Sequence, residues 1–312
     1  MTDKTAKQVE AMKHQTFGVE VEMNNITRKD ASMVAATYFG TGRYADTART
    51  NSYFTWSAWD AQGREWKFSR DVSIHGVDAQ KCELVTPVLT YSDMEFLQGL
   101  IRALRKAGAR SSQNRGCGVH IHVGSDGHTP KTIRNLVNLM ASHEDQLLKA
   151  IEVGDYRRCN YCNVVDPAFL QRLNAQKPQT MDELARCWYN GRIDTSHYSN
   201  TRYRMLNLHS LFNRYHTIEF RCFNFDNYVA GSGRRSGLHA GHLKAMIQLC
   251  LAMSQMAKQQ RSCSPKKQQT ENEAYAFRCW MLRLGFIGDE FKTARNYFMR
   301  NFEGDSAWRH TA

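Results

Sequence analysis

Two glutamates stand two residues apart in an otherwise apolar run, Phe17-Gly18-Val19-Glu20-Val21-Glu22-Met23. Successive side chains of a strand alternate faces, so Glu20 and Glu22 point one way and Val19 and Val21 the other. Like charges side by side on a sheet face are unfavourable unless a cation lies between them. The run therefore reads as one wall of a metal cradle. Three further segments share its design. In Gly116-Cys117-Gly118-Val119-His120-Ile121-His122-Val123-Gly124, the two histidines share the face opposite the three aliphatic residues. In His216-Thr217-Ile218-Glu219-Phe220-Arg221-Cys222, Glu219 and Arg221 oppose Ile218 and Phe220. Lys81-Cys82-Glu83-Leu84-Val85-Thr86-Pro87 adds Glu83.

Strands that are apolar below and ionic above predict an α+β fold: one curved antiparallel sheet, helices packed on one face, and an open charged face for catalysis. Apolar spacing predicts helices over Asp30–Phe39, with Asp30 as N-cap, and from Tyr91 or Ser92 through Ala107, stopped by Gly108. Others are expected from Pro130 to about Ala150 and from Leu238 to Lys258. Tyr53–Trp59 and Glu65–Phe68 read as a hairpin around Asp60-Ala61-Gln62-Gly63. Residues 1–15 form a polar lead, and 16–258 a catalytic domain. Within it, 154–200 is an irregular insertion able to cover the cleft, with one short helix over Asp182–Trp188. Residues 259–270 read as a basic linker, and 271–312 as closing helices, Glu273–Leu284 and Asp289–Asn301, on the same domain.

The chain has 312 residues, 42% of them hydrophobic and 11% aromatic, which predicts a folded globular protein. No run approaches the ~18 apolar residues of a membrane span. The opening Met1-Thr2-Asp3-Lys4-Thr5 lacks an apolar signal core, so the expected location is cytoplasmic, with no membrane partner. Nine cysteines without a framework pattern fit free thiols in a reducing compartment. The net charge of +12 suits an anionic partner: a nucleotide triphosphate, an acidic polymer or nucleic acid. It serves equally as a solubility feature.

The motifs together resemble the amidoligase branch of the glutamine synthetase and glutamate-cysteine ligase superfamily of ATP-dependent carboxylate-amine ligases. The resemblance covers roughly residues 16–225. It is carried by Gly18-x-Glu20-x-Glu22, Asp71-x-Ser73, Glu83-Leu84-Val85-Thr86-Pro87, Asn114 through His122, and Ile218-Glu219-Phe220-Arg221 in that order. It implies a glutamine synthetase-like catalytic domain that uses ATP and Mg²⁺, with Mn²⁺ as an alternative. The carboxylate and amine substrates are small molecules, peptides or proteins, and an acidic one suits the basic surface. Glu20, Glu22, Glu83, Glu219 and His120 are then metal ligands, and His122 contacts nucleotide phosphate. Arg221 steadies the transferring phosphoryl group, with Glu22 and Glu219 in the catalytic set. Arg202, Arg204 and Asn207 fall to the nucleotide or to a substrate carboxylate.

Each motif also has a plainer reading. Glu20 and Glu22 fit an exposed edge pair, Glu219 and Arg221 a surface ion pair, and Lys81 on the face of Glu83 a simple neutraliser. Asp71 suits a loop cap as well as a substrate contact, and Asn207 a turn hydrogen bond as well as a site role. Trp66 is expected in the core and Lys67 in solvent. Cys159-x-x-Cys162 lacks the second pair of a zinc site, Cys117 reads as close packing of a turn, and His239 and His242 as helix-face residues. The alternatives to the ligase are a metal-dependent nuclease or phosphodiester-cleaving enzyme, and an inert nucleotide-binding or interaction protein.

Overall fold

The computed structural model describes residues 3–48, 53–196, 199–227, 237–267 and 270–308; part of the 154–200 segment and of the 259–270 segment lies outside them. In chain order the elements are α1 (Asp3–Lys13), β1 (Phe17–Met23), α2 (Arg28–Tyr38), β2 (Tyr44–Asp46), β3 (Trp56–Trp59), β4 (Glu65–Ser69), β5 (Cys82–Val85) and α3 (Met94–Lys106). They continue with β6 (Val119–Gly124), α4 (Pro130–Ile151), α5 (Asp155–Asn160), α6 (Pro167–Gln176), α7 (Met181–Trp188), β7 (Leu206–Asn207), α8 (His209–Phe212) and β8 (Thr217–Phe223). The last are α9 (Ala240–Gln259), α10 (Glu273–Arg283) and α11 (Lys292–Met299). This is an α+β protein with an eight-stranded sheet in the order β2-β3-β4-β5-β1-β6-β8-β7. The pairs β1/β5, β2/β3, β3/β4, β4/β5 and β7/β8 are antiparallel. No helix among the described residues is long and apolar enough to cross a membrane.

The chain divides into two compact units. One comprises Thr16–Ile121 and Phe223–Lys244; the other comprises Met1–Gln15, His122–Cys222 and Ala245–Ala312.

In the first of these, alternation separates two faces. Trp56, Phe68, Leu84 and Val21 fall in register across β3, β4, β5 and β1 and form the apolar side. Phe68, Leu84 and Val21 are fully buried, and full burial of a side chain such as Phe68 contributes about 1.5–3 kcal/mol. Trp66 is fully buried in the core, as its type suggests, and packs on Phe39 and Phe96 at ring distances of 5.3 and 5.9 Å. The hairpin closes where expected. Asp60 accepts from the Gln62 and Arg64 amides and from the Trp66 indole, and Gly63 takes φ +77°. Helix α2 starts earlier than Asp30. Thr27 is the N-cap, accepting from the Asp30 amide at 3.0 Å and donating to the Asp30 carboxylate at 2.6 Å. With cap-forming residues at both positions, the one whose hydroxyl reaches the third helical amide wins.

In the other unit, α4 buries Ile133, Leu136, Val137, Met140 and Leu147. Phe169 of α6 meets Trp188 of α7 edge-on at 4.9 Å. Among its described residues the 154–200 segment thus holds three α-helices where one was expected. Asp166 caps α6 through the Ala168 and Phe169 amides, with Pro167 at its first turn. Residues 260–267 have no regular structure, but Asn135 and Asn138 bind the Gln260 and Cys263 carbonyls, and Lys267 pairs with Glu144 and Asp145. Strand β8 begins at Thr217, because His216 turns at φ +50°.

Candidate active site

The carboxylate site is assembled in the unit built on Thr16–Ile121. Register places Glu22 of β1 directly opposite Glu83 of β5, and Glu20 opposite Val85. Glu22, Asp71 and Glu83 each offer an oxygen within 4.8 Å of the others, and Glu20, Glu83 and a nitrogen of His120 do the same. Glu22 is buried and accepts from the Gly118 amide at 2.5 Å. His120 is also buried, with Nδ1 2.9 Å from Glu20 Oε2 and Nε2 3.8 Å from Glu22 Oε1. Two overlapping sets that share Glu83, one with Glu20 and His120 and one with Glu22 and Asp71, gather negative charge that a divalent cation would neutralise. The donors are chiefly carboxylate oxygens, which suits Mg²⁺ or Mn²⁺ and not a thiolate-seeking metal.

The sequence left Asp71 open between a loop cap and a substrate contact. Its Oδ1 accepts from the Ser73 amide at 2.7 Å and from the Ser73 hydroxyl at 2.6 Å, so it both caps the loop and joins the carboxylates. The loop is locked in place. His75 N donates to the Arg115 carbonyl at 2.8 Å, Asn24 Nδ2 to the His75 carbonyl at 3.0 Å, and Arg115 Nη1 to Asn24 Oδ1 at 3.1 Å. Gly116 allows this approach. It adopts φ +68°, and a β-carbon there would lie 2.6 Å from the Ser73 carbonyl. The Lys81 ammonium donates to the Val72 carbonyl at 3.1 Å, tying down the same loop. Cys117 is fully buried in this turn.

The other sequence-derived residues belong to the second unit. Glu219 and Arg221, both buried on β8, form a charge-assisted bond of 2.5 Å, and Asn207 Nδ2 donates to the other Glu219 oxygen at 2.6 Å. Asn207 stands opposite Glu219 in the β7/β8 register, and its own Oδ1 accepts from the His209 amide. It therefore makes the turn hydrogen bond and orients Glu219 at once. His122 Nδ1 lies 3.0 Å from the Thr217 hydroxyl, on the face of β8 that carries Glu219 and Arg221. The Arg221 guanidinium lies 5.9 Å from the Tyr203 ring centre, and that of Arg202 lies 5.5 Å from it. Arg204 instead binds Asp166 at 3.0 Å and the Val164 carbonyl at 3.3 Å, holding the start of α6.

Two residues near this set carry no sequence motif. Arg157 is buried and donates to the Arg221 carbonyl at 3.0 Å. His209 is buried with Nδ1 2.7 Å from the Tyr189 hydroxyl. Burial, then the positive charge of Arg202, holds its imidazole below the usual histidine range. Burial pushes the Tyr189 phenol up to about 12, so it stays protonated and can donate to His209. The Asn207-x-His209 spacing was the one sequence hint. Cys162 is buried with its thiol on the Arg157 carbonyl, whereas Cys159 is exposed.

Comparison with known proteins gives three findings. No curated protein matches the chain. Among solved structures the chain is similar to a bifunctional glutathione synthetase from Pasteurella multocida, with a TM-score of 0.48 and 11% identity over 96% of this chain and 49% of that one. The chain thus spans about half the length of that protein. A protein-family profile described as "Putative amidoligase enzyme" matches residues 13–254, a range that holds every carboxylate, imidazole and guanidinium discussed above. A match of that extent makes this chain a member of the amidoligase family.

Proposed function

We propose that the protein is an ATP- and Mg²⁺-dependent carboxylate-amine ligase that makes an amide or isopeptide bond and releases ADP and phosphate. Family membership supports amide-bond formation. The observation that carries the finer reading is the Glu22–Glu83 opposition completed by Glu20, Asp71 and His120. ATP and a carboxylate repel each other, and a cation-binding carboxylate set next to a nucleotide is the usual answer. We assign Glu20, Glu22, Glu83 and His120 to Mg²⁺, with Asp71 added and Glu219 as a further ligand. Bound there, the ion would screen the phosphates and stabilise charge as it moves.

The chain's own groups do the rest. An oxygen of the acid substrate attacks the γ-phosphorus of ATP, the bond to ADP breaks, and an acyl phosphate forms. The amine then attacks the acyl carbon, phosphate leaves, and the amine gives up a proton. Arg221 offers the developing phosphoryl charge a planar, permanently charged fork. Its main chain is held by Arg157, and its side chain by Glu219, which Asn207 orients in turn. Such preorganised charge is worth a few kcal/mol in the transition state. His122, Arg202 and Arg204 are assigned to nucleotide phosphates or a substrate carboxylate, Arg204 having first to leave Asp166.

We read the sheet as a glutamine synthetase-type catalytic sheet, residues 16–258 as the catalytic domain and 271–312 as helices of the same domain. The expected location is cytoplasmic. Phosphate release tests the reading: ADP and phosphate should appear with Mg²⁺, ATP, acid and amine together, and weakly without the amine. Cleavage of nucleic acid with no nucleotide present would select the nuclease instead.

A further inference from the structure

The ionic face of the sheet does not stop at the carboxylates. Registers run two rows of side chains across the same face in the unit built on Thr16–Ile121. The first is Glu22–Glu83–Ser69 over β1, β5 and β4. The second is Glu20–Val85–Lys67–Ser57 over β1, β5, β4 and β3. Lys67 therefore rises from the catalytic face, two strands from Glu20 and diagonally next to Glu83. At ~4.8 Å per strand its Cα is about 10 Å from that of Glu20, a span that the lysine stem could largely cover on swinging away from Glu65.

Three observations separate Lys67 from an ordinary solvated lysine. First, β4 alternates strictly: Trp66 and Phe68 are fully buried, so Lys67 has no freedom to leave this face. Second, its ion pair is with Glu65 on the same strand at 3.6 Å, a long contact, with the lysine side chain half exposed. Third, Glu65 is already engaged by the Ser57 hydroxyl at 2.7 Å. Nearby hydroxyls are satisfied among themselves, Thr55 with Ser69 at 3.0 Å and Thr47 with Ser57 at 2.8 Å. A solvent-facing ammonium thus overlooks a polar, hydroxyl-lined stretch of sheet beside the metal-ligand set.

We propose that Lys67 is a specificity-determining residue that binds a second anionic group on the acid substrate, whose reacting carboxylate lies toward Glu20 and Glu83. This rests on the ligase reading above. The separation selects a short dicarboxylic acid or a residue derived from one. The corresponding monocarboxylate, with hydrogen in place of the second carboxylate, would leave the ammonium unmatched.

The test is the binding of glutarate and butyrate to the full chain with Mg²⁺ and a non-hydrolysable ATP analogue, for the protein as it stands, Lys67→Met and Lys67→Arg. Nucleotide binding is measured separately by the rise in melting temperature. Glutarate is expected to bind at least about tenfold more tightly than butyrate. Lys67→Met should erase that preference, Lys67→Arg should keep most of it, and neither should alter the nucleotide shift. Nucleotide binding with no glutarate preference, or a preference untouched by Lys67→Met, overturns the role of Lys67 and leaves the ligase standing. Absence of nucleotide binding in all three proteins overturns both.

Discussion

Glu22 and Glu83 face each other across β1 and β5, two carboxylates held in register by the sheet itself. Like charges opposite one another on adjacent strands cost stability, whereas a cation between them reverses the sign. Glu83→Gln should therefore raise the melting temperature of the metal-free protein, an effect of about 0.2–1 kcal/mol. The same change should abolish the further rise produced by millimolar Mg²⁺. Thermal unfolding with and without Mg²⁺ reads both effects, and an undiminished Mg²⁺ shift in the variant would remove Glu83 from the metal set.

Glu219 and Arg221 form a different kind of pair, because both are buried and oppositely charged. Removing one leaves the other uncompensated, so Arg221→Met should destabilise by about 3–5 kcal/mol in urea unfolding. Arg221→Lys keeps the charge but not the planar fork, and should fold while losing roughly 100-fold or more in turnover. Glu22→Gln should likewise abolish ligation with the fold intact, and Glu219→Gln should abolish it at a stability cost like that of Arg221→Met, because it leaves the buried guanidinium uncompensated. Turnover near the original level in any of these three would take that residue out of the mechanism.

Gly116 holds the Asp71 loop against the turn that precedes the His120 strand. In Gly116→Ala the new methyl meets the Ser73 carbonyl, on a backbone that L-residues seldom adopt. The expected cost is about 1–3 kcal/mol. Because Asp71 moves with the loop, Mg²⁺ affinity should fall as well. Stability and Mg²⁺ titrations should change together; unchanged metal affinity at lowered stability would separate the loop from the site.

Two largely buried histidines set an acid limit on stability. Burial pulls His128 down to about 3 and His143 down to about 4. Both therefore stay neutral in the fold, while the unfolded chain takes up protons below about 6.5. Their contribution is complete above that pH and is lost as pH falls toward 4 and then 3. Each accounts for about 1.4 kcal/mol per pH unit within its window. His143→Phe keeps the ring that stacks on Trp280 at 4.2 Å and removes one titration. Its urea midpoint should fall less steeply between pH 6.5 and 4.5, and an identical slope would refute the assignment.

How much of this the sequence disclosed depended on local pattern. Strand β1 was readable to its ends because apolar and ionic residues alternate without a break. Strand β2 was not, since Tyr44, Ala45 and Asp46 are all exposed and alternate nothing. The ionic side chains of β1, β5, β6 and β8 were identified by type. The register that opposes Glu22 to Glu83 was hidden, because it depends on everything folded between those strands. For the same reason Lys67 read as merely solvated, and Asp71 as a loop cap or a substrate contact and not as a metal-ligand candidate. Asn207 and Arg204 carried the right chemistry, but their partners depend on folding: Glu219 meets Asn207 only through the β7/β8 register, and Asp166 lies 38 residues from Arg204.

The interleaving of the two units bears on how the protein is made. One unit draws on residues up to Lys244, and the other needs both the opening helix and everything after Ala245. Neither can be obtained by a single cut or truncation. Helix α1 therefore completes its unit only once residues 245 onward are made, whereas pairs such as β1/β5 and β3/β4 in the other unit join segments that lie much closer in the chain.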